Sequence, residues 1–158
     1  MSDALSTYSC IAPTQPKKPF RADGTKTTIL IKWTSPSDDG GCPILGYKLY
    51  RDSGDSVSDI NIQIDPAYFE GKPFLNSYDL QLTSGDTGKM YRFQVLAFNY
   101  EGFQISNTGT FIIATIPDKP PTNPVLDVSQ SDGESLKVSI GEFVTSQNGG
   151  ADIVSYEI

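Results

Sequence analysis

Short segments with apolar residues at every second position recur along most of the chain, and this pattern most constrains its fold. In TTILIKW, residues 27–33, Ile29, Ile31 and Trp33 share one face, while Leu30 and Lys32 share the other. A period of two residues is that of a half-buried β-strand. Further strand-like segments follow: GYKLYR, DINIQID, SYDLQL, YRFQVLAFN and TFIIAT.

The segments between these strands are rich in Gly, Pro, Asp and Ser, which are turn-forming residues: SPSDDGG, RDSGDS, DPAYFEGKP, TSGDTG and NYEGF. None of the connections leaves room for an amphipathic helix of about ten residues. Short strands at such regular spacing are typical of a β-sandwich or a β-barrel. The sequence therefore predicts an all-β protein.

The composition excludes several classes of function. The net charge is −7, and the twelve basic residues are scattered, whereas a nucleic-acid partner requires clustered Lys and Arg. No apolar run approaches the ~18 to 20 residues that span a bilayer. The chain has no histidine, and its two cysteines cannot complete a tetrahedral zinc site. We expect no catalytic residues, no cofactor and no metal.

The stretch DDGGC, residues 38–42, is the most site-like part of the sequence. Asp38, Asp39 and Cys42 could be metal ligands or catalytic groups, and the two glycines could cradle a phosphate. However, the spacing is not that of a calcium loop, and a strand rather than a helix follows the glycines. The acidic loop at residues 52–59 also lacks calcium-loop spacing. Both segments are predicted to be turns, the second of them solvated.

Particular residues make the chain resemble the fibronectin type III domain. The buried tryptophan of strand B corresponds to Trp33, the tyrosine of strand C to Tyr47, and the corner tyrosine to Tyr91, which follows Leu82. YRFQVLAFN resembles strand F, whose Phe93 and Val95 point into the core, and an N-x-x-G-x-x-x-S motif follows. The resemblance implies an immunoglobulin-like β-sandwich of roughly 100 residues. One departure is the long E–F connection LTSGDTGKMY, which lacks a proline.

A partial repeat follows the matched region. QNGGADIVSYEI aligns with DGGCPILGYKL, which pairs Gly149 and Gly150 with Gly40 and Gly41, and Tyr156 with Tyr47. In the repeat, Ile140 or Phe143 would replace the strand-B tryptophan. At the other end, STYSCIAPTQPKKP resembles GTFIIATIPDKPPTNP. We therefore expect a tandem array: residues 1–12 form the last strand of one copy, 13–117 a complete domain, and 118–158 strands A to C of the next copy.

The fold that the sequence resembles places the B–C loop near the chain entrance, so Cys42 should lie near Cys10. A disulfide there could stiffen the hinge between domains. Because disulfide geometry is demanding, two free thiols are the preferred expectation. The F–G loop offers a candidate partner contact at Phe98, Tyr100 and Phe103, although these aromatic residues could instead pack on a neighbouring copy.

The function expected from these features is that of a non-enzymatic spacer and scaffold, whose partners are neighbouring repeats and another protein. D-G-G-x-P-I-x-G-Y resembles repeats of giant cytoskeletal and muscle proteins. No Asn-x-Ser/Thr acceptor is present, which favours an intracellular cytoskeletal or ciliary scaffold over a cell-surface protein. The alternative is an accessory module of a larger receptor, adhesion protein or multidomain enzyme.

Overall fold

The structure is a computed structural model that describes residues 9–144 and 147–156. Its elements, in chain order, are β1 (Phe20–Gly24), β2 (Thr28–Lys32), β3 (Gly46–Arg51), β4 (Ile62–Ile64), α1 (Pro66–Phe69), β5 (Ser77–Gln81), β6 (Met90–Phe98), β7 (Phe103–Ile105), β8 (Gly109–Ile112), β9 (Val125–Leu126) and β10 (Val138–Ser139).

Two antiparallel sheets form the sandwich. One has the strand order β1-β2-β5, and the other has the order β4-β3-β6-β7, with β8 paired to the first half of β6. Inward-pointing residues of both sheets and of the segments next to their strands make one buried cluster, which consists of Ile29, Ile31, Trp33, Tyr47, Leu49, Ile64, Phe69, Tyr91, Phe93, Val95, Ala97 and Ile113. Leu82 is half-buried and packs against this cluster. The predicted all-β sandwich is confirmed.

The strand register follows from the alternation in the sequence. Ile29 and Ile31 of β2 lie opposite Leu80 and Tyr78 of β5, which places apolar side chains together on the inner face. In the other sheet, Leu49 lies opposite Val95. A slip of one residue would turn each of these side chains to the outer face, so burial determines the register.

Three elements differ from the strands expected from the sequence. DINIQID forms only a three-residue strand, in which Ile62 is 40% exposed because β4 is a sheet edge. The strand ends at Ile64, and the next residue, Asp65, has a left-handed backbone with φ 35° and caps the single turn α1 with its side chain. β1 was not predicted, because FRADG lacks alternation and contains a bulge between Arg21 and Asp23.

β7 lies within the segment that was expected to be the F–G loop. Phe103 pairs with Phe98, and Ile105 pairs with Leu96, so the loop is reduced to a tight turn. Asn99 closes that turn, because its backbone N–H donates to Gly102 O at 2.9 Å. All three β7 side chains are exposed, so no burial pattern in the sequence marks the strand.

The region expected to form the next copy contains the antiparallel ribbon β9–β10. β10 lies within the segment SLKVSI, residues 135–140, in which Leu136, Val138 and Ile140 alternate with polar residues. Phe143 and Tyr156 stack with ring centroids 6.0 Å apart. None of the described residues form a helix of the length and apolarity that spanning a bilayer requires.

Candidate functional site

The Asp-Asp-Gly-Gly stretch forms the loop between β2 and β3, and its carboxylates are engaged in the turn itself. Asp38 Oδ1 accepts the Gly40 N–H at 2.8 Å, and Asp39 Oδ1 accepts the Gly41 N–H at 2.9 Å. Gly40 and Gly41 have φ of 76° and 81°, a region that glycine adopts without steric cost. Within residues 9–144 and 147–156, no group of three or more acidic, His or Cys side chains is arranged to hold a metal ion.

The segment before β1 is bonded to this loop along its length. Ile11 N–H donates to Gly40 O at 3.0 Å, and Lys17 N–H donates to Thr34 O at 3.1 Å, so the two segments run antiparallel. Pro13, Pro16 and Pro19 lie in the same segment and are fully buried. The proline-containing linker is therefore part of the folded sandwich.

Asn99 joins three segments at this end of the molecule. Its side-chain Nδ2 donates to Ile11 O and to Asp39 O, both at 2.7 Å, while its Oδ1 accepts the Gly102 N–H at 3.1 Å. Asn99 is 5% exposed. Sequence reasoning identified Asn99 only as the closing residue of the strand-F motif. Its bridging role depends on contacts that are distant in sequence.

Cys10 and Cys42 form a disulfide, with Cα atoms 5.6 Å apart. The expectation of two free thiols is therefore corrected. The reason lies in the backbone hydrogen bonds between the linker and the B–C loop, because the Ile11–Gly40 bond holds both segments at a separation that a disulfide can span. The disulfide joins the linker directly to the loop that precedes β3.

The three aromatic residues expected to contact a partner occupy two different surfaces. Phe98 and Phe103 lie opposite each other on the outer face of the larger sheet, where Phe98 is half-buried and Phe103 is 56% exposed. Tyr100 is in the turn between their strands and is 77% exposed. It lines a cleft of about 270 Å³ beside Cys10, Gly41, Cys42 and Pro43.

The acidic loop that begins at Asp52 was expected to be a solvated turn, and for Asp52 this is wrong. Its side chain is fully buried and accepts a hydrogen bond from Arg92 Nε at 2.7 Å. Asp55 is exposed, and its Oδ1 accepts the N–H groups of Val57 and Ser58. These backbone hydrogen bonds hold the pKa of Asp55 well below its ordinary value.

Tyr91 forms the corner contact of the sandwich through a carboxylate. Its hydroxyl donates to Asp86 Oδ1 at 2.7 Å, and Asp86 Oδ2 accepts the hydroxyl and N–H of Thr83. Burial alone would raise the pKa of Asp86, but the hydrogen bonds from Thr83 and Tyr91 hold it below its ordinary value. Burial, together with the same bond to Asp86, raises the pKa of Tyr91. Asp86 thus organises the long E–F connection that lacks a proline.

The loop at residues 147–150 repeats the geometry of the loop at residues 38–41. Thr115 N–H donates to Gly149 O at 2.8 Å, as Ile11 N–H does to Gly40 O at 3.0 Å. A Cβ on Gly40 would lie 2.2 Å from Ile11 O, and one on Gly149 would lie 2.3 Å from Thr115 O. A second backbone hydrogen bond matches as well. Thr14 N–H donates to Asp38 O, and Asp118 N–H donates to Gln147 O, both at 2.9 Å.

The side-chain cap of the turn is also repeated. Asn148 Oδ1 accepts the Gly150 N–H at 2.9 Å, which is the bond that Asp39 makes to Gly41. Gly149 and Gly150 have φ of 70° and 84°. Asn therefore serves where Asp does in the first loop, so this cap needs a side-chain oxygen but no charge.

The second loop packs on the far end of the sandwich. A Cβ on Gly150 would lie 2.5 Å from Gly88 N and 2.7 Å from Thr87 Cγ2, so the two loops are in direct contact. Lys26, in the turn between β1 and β2, forms an ion pair with Asp118. A cleft of about 670 Å³ lies between these segments.

Comparison with protein families finds no family model that matches this chain. Protein sax-3 of Caenorhabditis elegans is 22% identical over 130 residues, which cover 82% of this chain and 9% of that protein.

Two solved structures show the fold. The FN1–FN3 domains of chicken CNTN1 superpose with a TM-score of 0.55 at 19% identity, covering 85% of this chain and 45% of that chain. The twitchin kinase region of C. elegans, Fn31-NL-kin-CRD-Ig26, superposes with a TM-score of 0.52 at 16% identity, covering 74% and 19%. Among the described residues, two antiparallel sheets pack face to face around a buried core, so the chain is an all-β sandwich that has the fibronectin type III fold.

Proposed function

We propose that the protein is a non-enzymatic structural module of a tandem array, in which residues 13–117 form one complete copy and residues 118–158 begin the next. Residues 9–12 would end a preceding copy, whose earlier residues, 1–8, lie outside the described part of the chain. The observation that carries this proposal is the repeated junction. Two linkers donate the same backbone hydrogen bonds to two Gly-Gly loops.

The repeat supports a spacing role because the junctions are built from fixed contacts. At each junction the linker is bonded to the loop of the domain that it enters, and the second loop also packs on Thr87 and Gly88 of the domain before it. A linker bonded in this way restricts the angle between neighbours more than a free coil would. The array would hold its domains at a regular spacing.

A protein contact is the second part of the proposed role. Phe98 and Phe103 face outward beside Leu96, and Lys48 lies 5.8 Å from the Phe98 ring. Aromatic residues presented by a rigid sheet are favoured anchors in protein interfaces. The partner surface would be the outer face of the larger sheet, separate from the junction.

The disulfide favours the cell-surface alternative over the intracellular scaffold. Disulfides persist in oxidising compartments and are rare in the reducing cytosol. Cys10 and Cys42 are bonded in a position that ties the linker to the sandwich, which is where a lasting constraint is useful. Their presence gives a physical argument that the sequence alone did not provide.

An accessory module of a larger receptor, adhesion protein or multidomain enzyme is the second candidate. The likeness to the twitchin kinase region, a structure that combines an Fn domain with a kinase, favours it. In a longer polypeptide that contains this chain, the flanking residues would distinguish the tandem array from the accessory module. Further copies would support the array, and a catalytic domain would support the accessory module.

Engineering a disulfide at the second junction tests the proposal. Alignment of the two junctions places Ala114 where the first has Cys10, and Ala151 where it has Cys42, and both alanines line one cleft. The double variant Ala114→Cys/Ala151→Cys should close a new disulfide on air oxidation, detected by peptide mapping without reductant. The pair Ala114→Cys/Ser129→Cys is the control and should stay reduced. If the first pair also stays reduced, the junctions are not equivalent.

A further inference from the structure

The two equivalent loops differ in exposure. Gly41 is exposed, whereas its counterpart Gly150 is half-buried, and the same difference separates Asp39 from Asn148. Ile11 is 72% exposed, whereas Thr115 at the corresponding position is half-buried. Since the backbone geometry of the loops is the same, the difference arises from what packs on them. The second loop is covered by the E–F loop of the preceding domain.

The covering contact is specific in shape. Thr87 and Gly88 approach Gly150 so closely that no side chain fits between them. Gly41 has the same backbone conformation, but a Cβ added to it would have as its nearest neighbours, in the described part of the chain, Ser9 O at 3.7 Å and Cys10 Cβ at 4.0 Å. The surface of Gly41 that corresponds to the contact is therefore open to receive a turn like Thr87–Gly88.

The surroundings of Gly41 suit such a turn. We define the N-terminal pole as Ile11, Gly41, Pro43 and Tyr100. The last three line the cleft of about 270 Å³ together with Cys10, Cys42 and Glu101, and Ile11 follows Cys10 in the chain. The lining of the cleft is mainly apolar and is wide enough for a small methyl-bearing side chain such as that of Thr87. Ile11 and Tyr100 both expose large side chains at this pole.

The charges are complementary as well. At the second junction, the charge contact is the ion pair of Lys26 with Asp118. At the first junction, Thr14 occupies the position of Asp118, while Asp38 and Asp39 are exposed in the loop where the second has Gln147 and Asn148. A lysine at the position of Lys26, in the β1–β2 turn of a preceding domain, would therefore meet a carboxylate at either junction.

We propose that the N-terminal pole is a docking surface for another copy of this fold, which binds through its E–F turn as Thr87–Gly88 binds Gly150. This inference rests on the proposed tandem array, and it adds the contact that each domain makes with the domain before it. The contact places the methyl-bearing residue of the turn in the cleft beside Tyr100. It also covers Ile11 and Gly41.

The test extends the chain by one copy. Residues 9–113 are joined in front of residues 10–158, so that Cys10 of the original chain takes the position that Ala114 has at the second junction. The added copy carries Tyr100→Phe, which gives its peptides distinct masses. Hydroxyl-radical footprinting then measures the labelling of Tyr100 in the original copy. Relative to the original chain, we expect a severalfold loss of Tyr100 labelling in the extended chain. Phe74, which is 95% exposed, should be labelled equally in the extended and the original chain.

Two variants of the added copy identify the contact. Gly88→Asn keeps a backbone conformation that Asn tolerates and places a side chain in the interface, so Tyr100 labelling should return. Gly71→Asn is the matched control, because Gly71 also has positive φ and has nothing within 4 Å of an added Cβ. Thr87→Asp perturbs the contact without altering Gly88 and should act as Gly88→Asn does.

The outcomes separate this inference from the proposed function. Unchanged Tyr100 labelling in the extended chain overturns the docking surface, even where the engineered Ala114→Cys/Ala151→Cys bridge has closed. Protection that survives both Gly88→Asn and Thr87→Asp overturns the assigned contact. Failure of the engineered bridge bears on the array itself, whatever the footprint.

Discussion

Arg92 on β6 pairs with Asp52, whose side chain is fully buried at the end of β3. Arg92 Nε donates to Asp52 Oδ2 at 2.7 Å, and the Arg92 backbone N–H donates to Oδ1 at 3.1 Å. Breaking a buried pair leaves the remaining charge without its partner. We expect Asp52→Ala to lower the free energy of unfolding by about 3 kcal/mol, measured by urea denaturation. Asp59→Ala, at an exposed position of the same loop, is the control, and an equal effect of both variants would contradict the prediction.

Tyr91→Phe tests the corner contact. The variant keeps the buried ring and removes only the hydroxyl that donates to Asp86. Because the acceptor is a carboxylate, we expect a loss of about 1.5 to 3 kcal/mol in the free energy of unfolding. Tyr50→Phe, on the outer face of the larger sheet, should change stability by less than about 0.5 kcal/mol. If Tyr91→Phe also lowered the free energy of unfolding by less than about 0.5 kcal/mol, the hydrogen bond to Asp86 would not stabilise the fold.

The pKa of Asp86 predicts an acid-dependent loss of stability. Hydrogen bonds lower this pKa in the folded state from its ordinary value of 3.8. The unfolded chain therefore binds the proton more readily, so the contribution of Asp86 is present above pH 3.8 and is lost as the pH falls through the folded pKa. Asp86→Asn should show a shallower decline of the melting temperature over this acidic range. A parallel decline in both proteins would exclude Asp86 as a cause.

Reduction of the Cys10–Cys42 disulfide should destabilise the sandwich. The bridge joins residues 32 positions apart. For a loop of this length, chain entropy predicts a contribution of about 3 to 4 kcal/mol. Thermal unfolding with and without reductant measures it. Cys10→Ser/Cys42→Ser should melt at the temperature of the reduced protein and should not respond to reductant, and a reductant effect on that variant would point to another cause.

Trp33 provides a test of core packing. Trp33 is 3% exposed, and its indole N–H has no hydrogen-bond partner among the residues that the structure describes. Trp33→Ala should cost about 3 to 5 kcal/mol through the cavity it leaves. Trp33→Phe should cost much less, because it keeps most of the apolar contact and removes a buried donor that is not satisfied. Equal losses, measured by chemical denaturation, would contradict this account.

The alternating strands could be read from the sequence because each has one buried face. Ile29 and Ile31 on β2 are examples, as are Tyr91, Phe93 and Val95 on β6. The pattern failed at two edge strands that have no regularly buried face. β1 and β7 have no regular burial, so tertiary pairing rather than local sequence determines them.

The junction could be predicted only in part. The Gly-Gly turn was recognised from its residues, since positive φ demands glycine there. The Cys10–Cys42 bridge, the Asn99 bridge and the burial of Asp52 depend on segments that are far apart along the chain. No local pattern encodes such contacts, and the buried Asp52 has the same sequence signal as a solvated turn residue.

The Cys10–Cys42 disulfide determines where mechanical tension enters the domain. A pull applied to the chain before Cys10 passes through the bridge to Cys42 and on into β3. The intervening residues, which contain β1 and β2, form a closed covalent loop outside that path. Stretching would therefore lengthen the oxidised domain by less than the reduced one, because the residues of the loop cannot extend while the bridge is intact. The oxidation state of a single bond would thus set how far this domain yields under force.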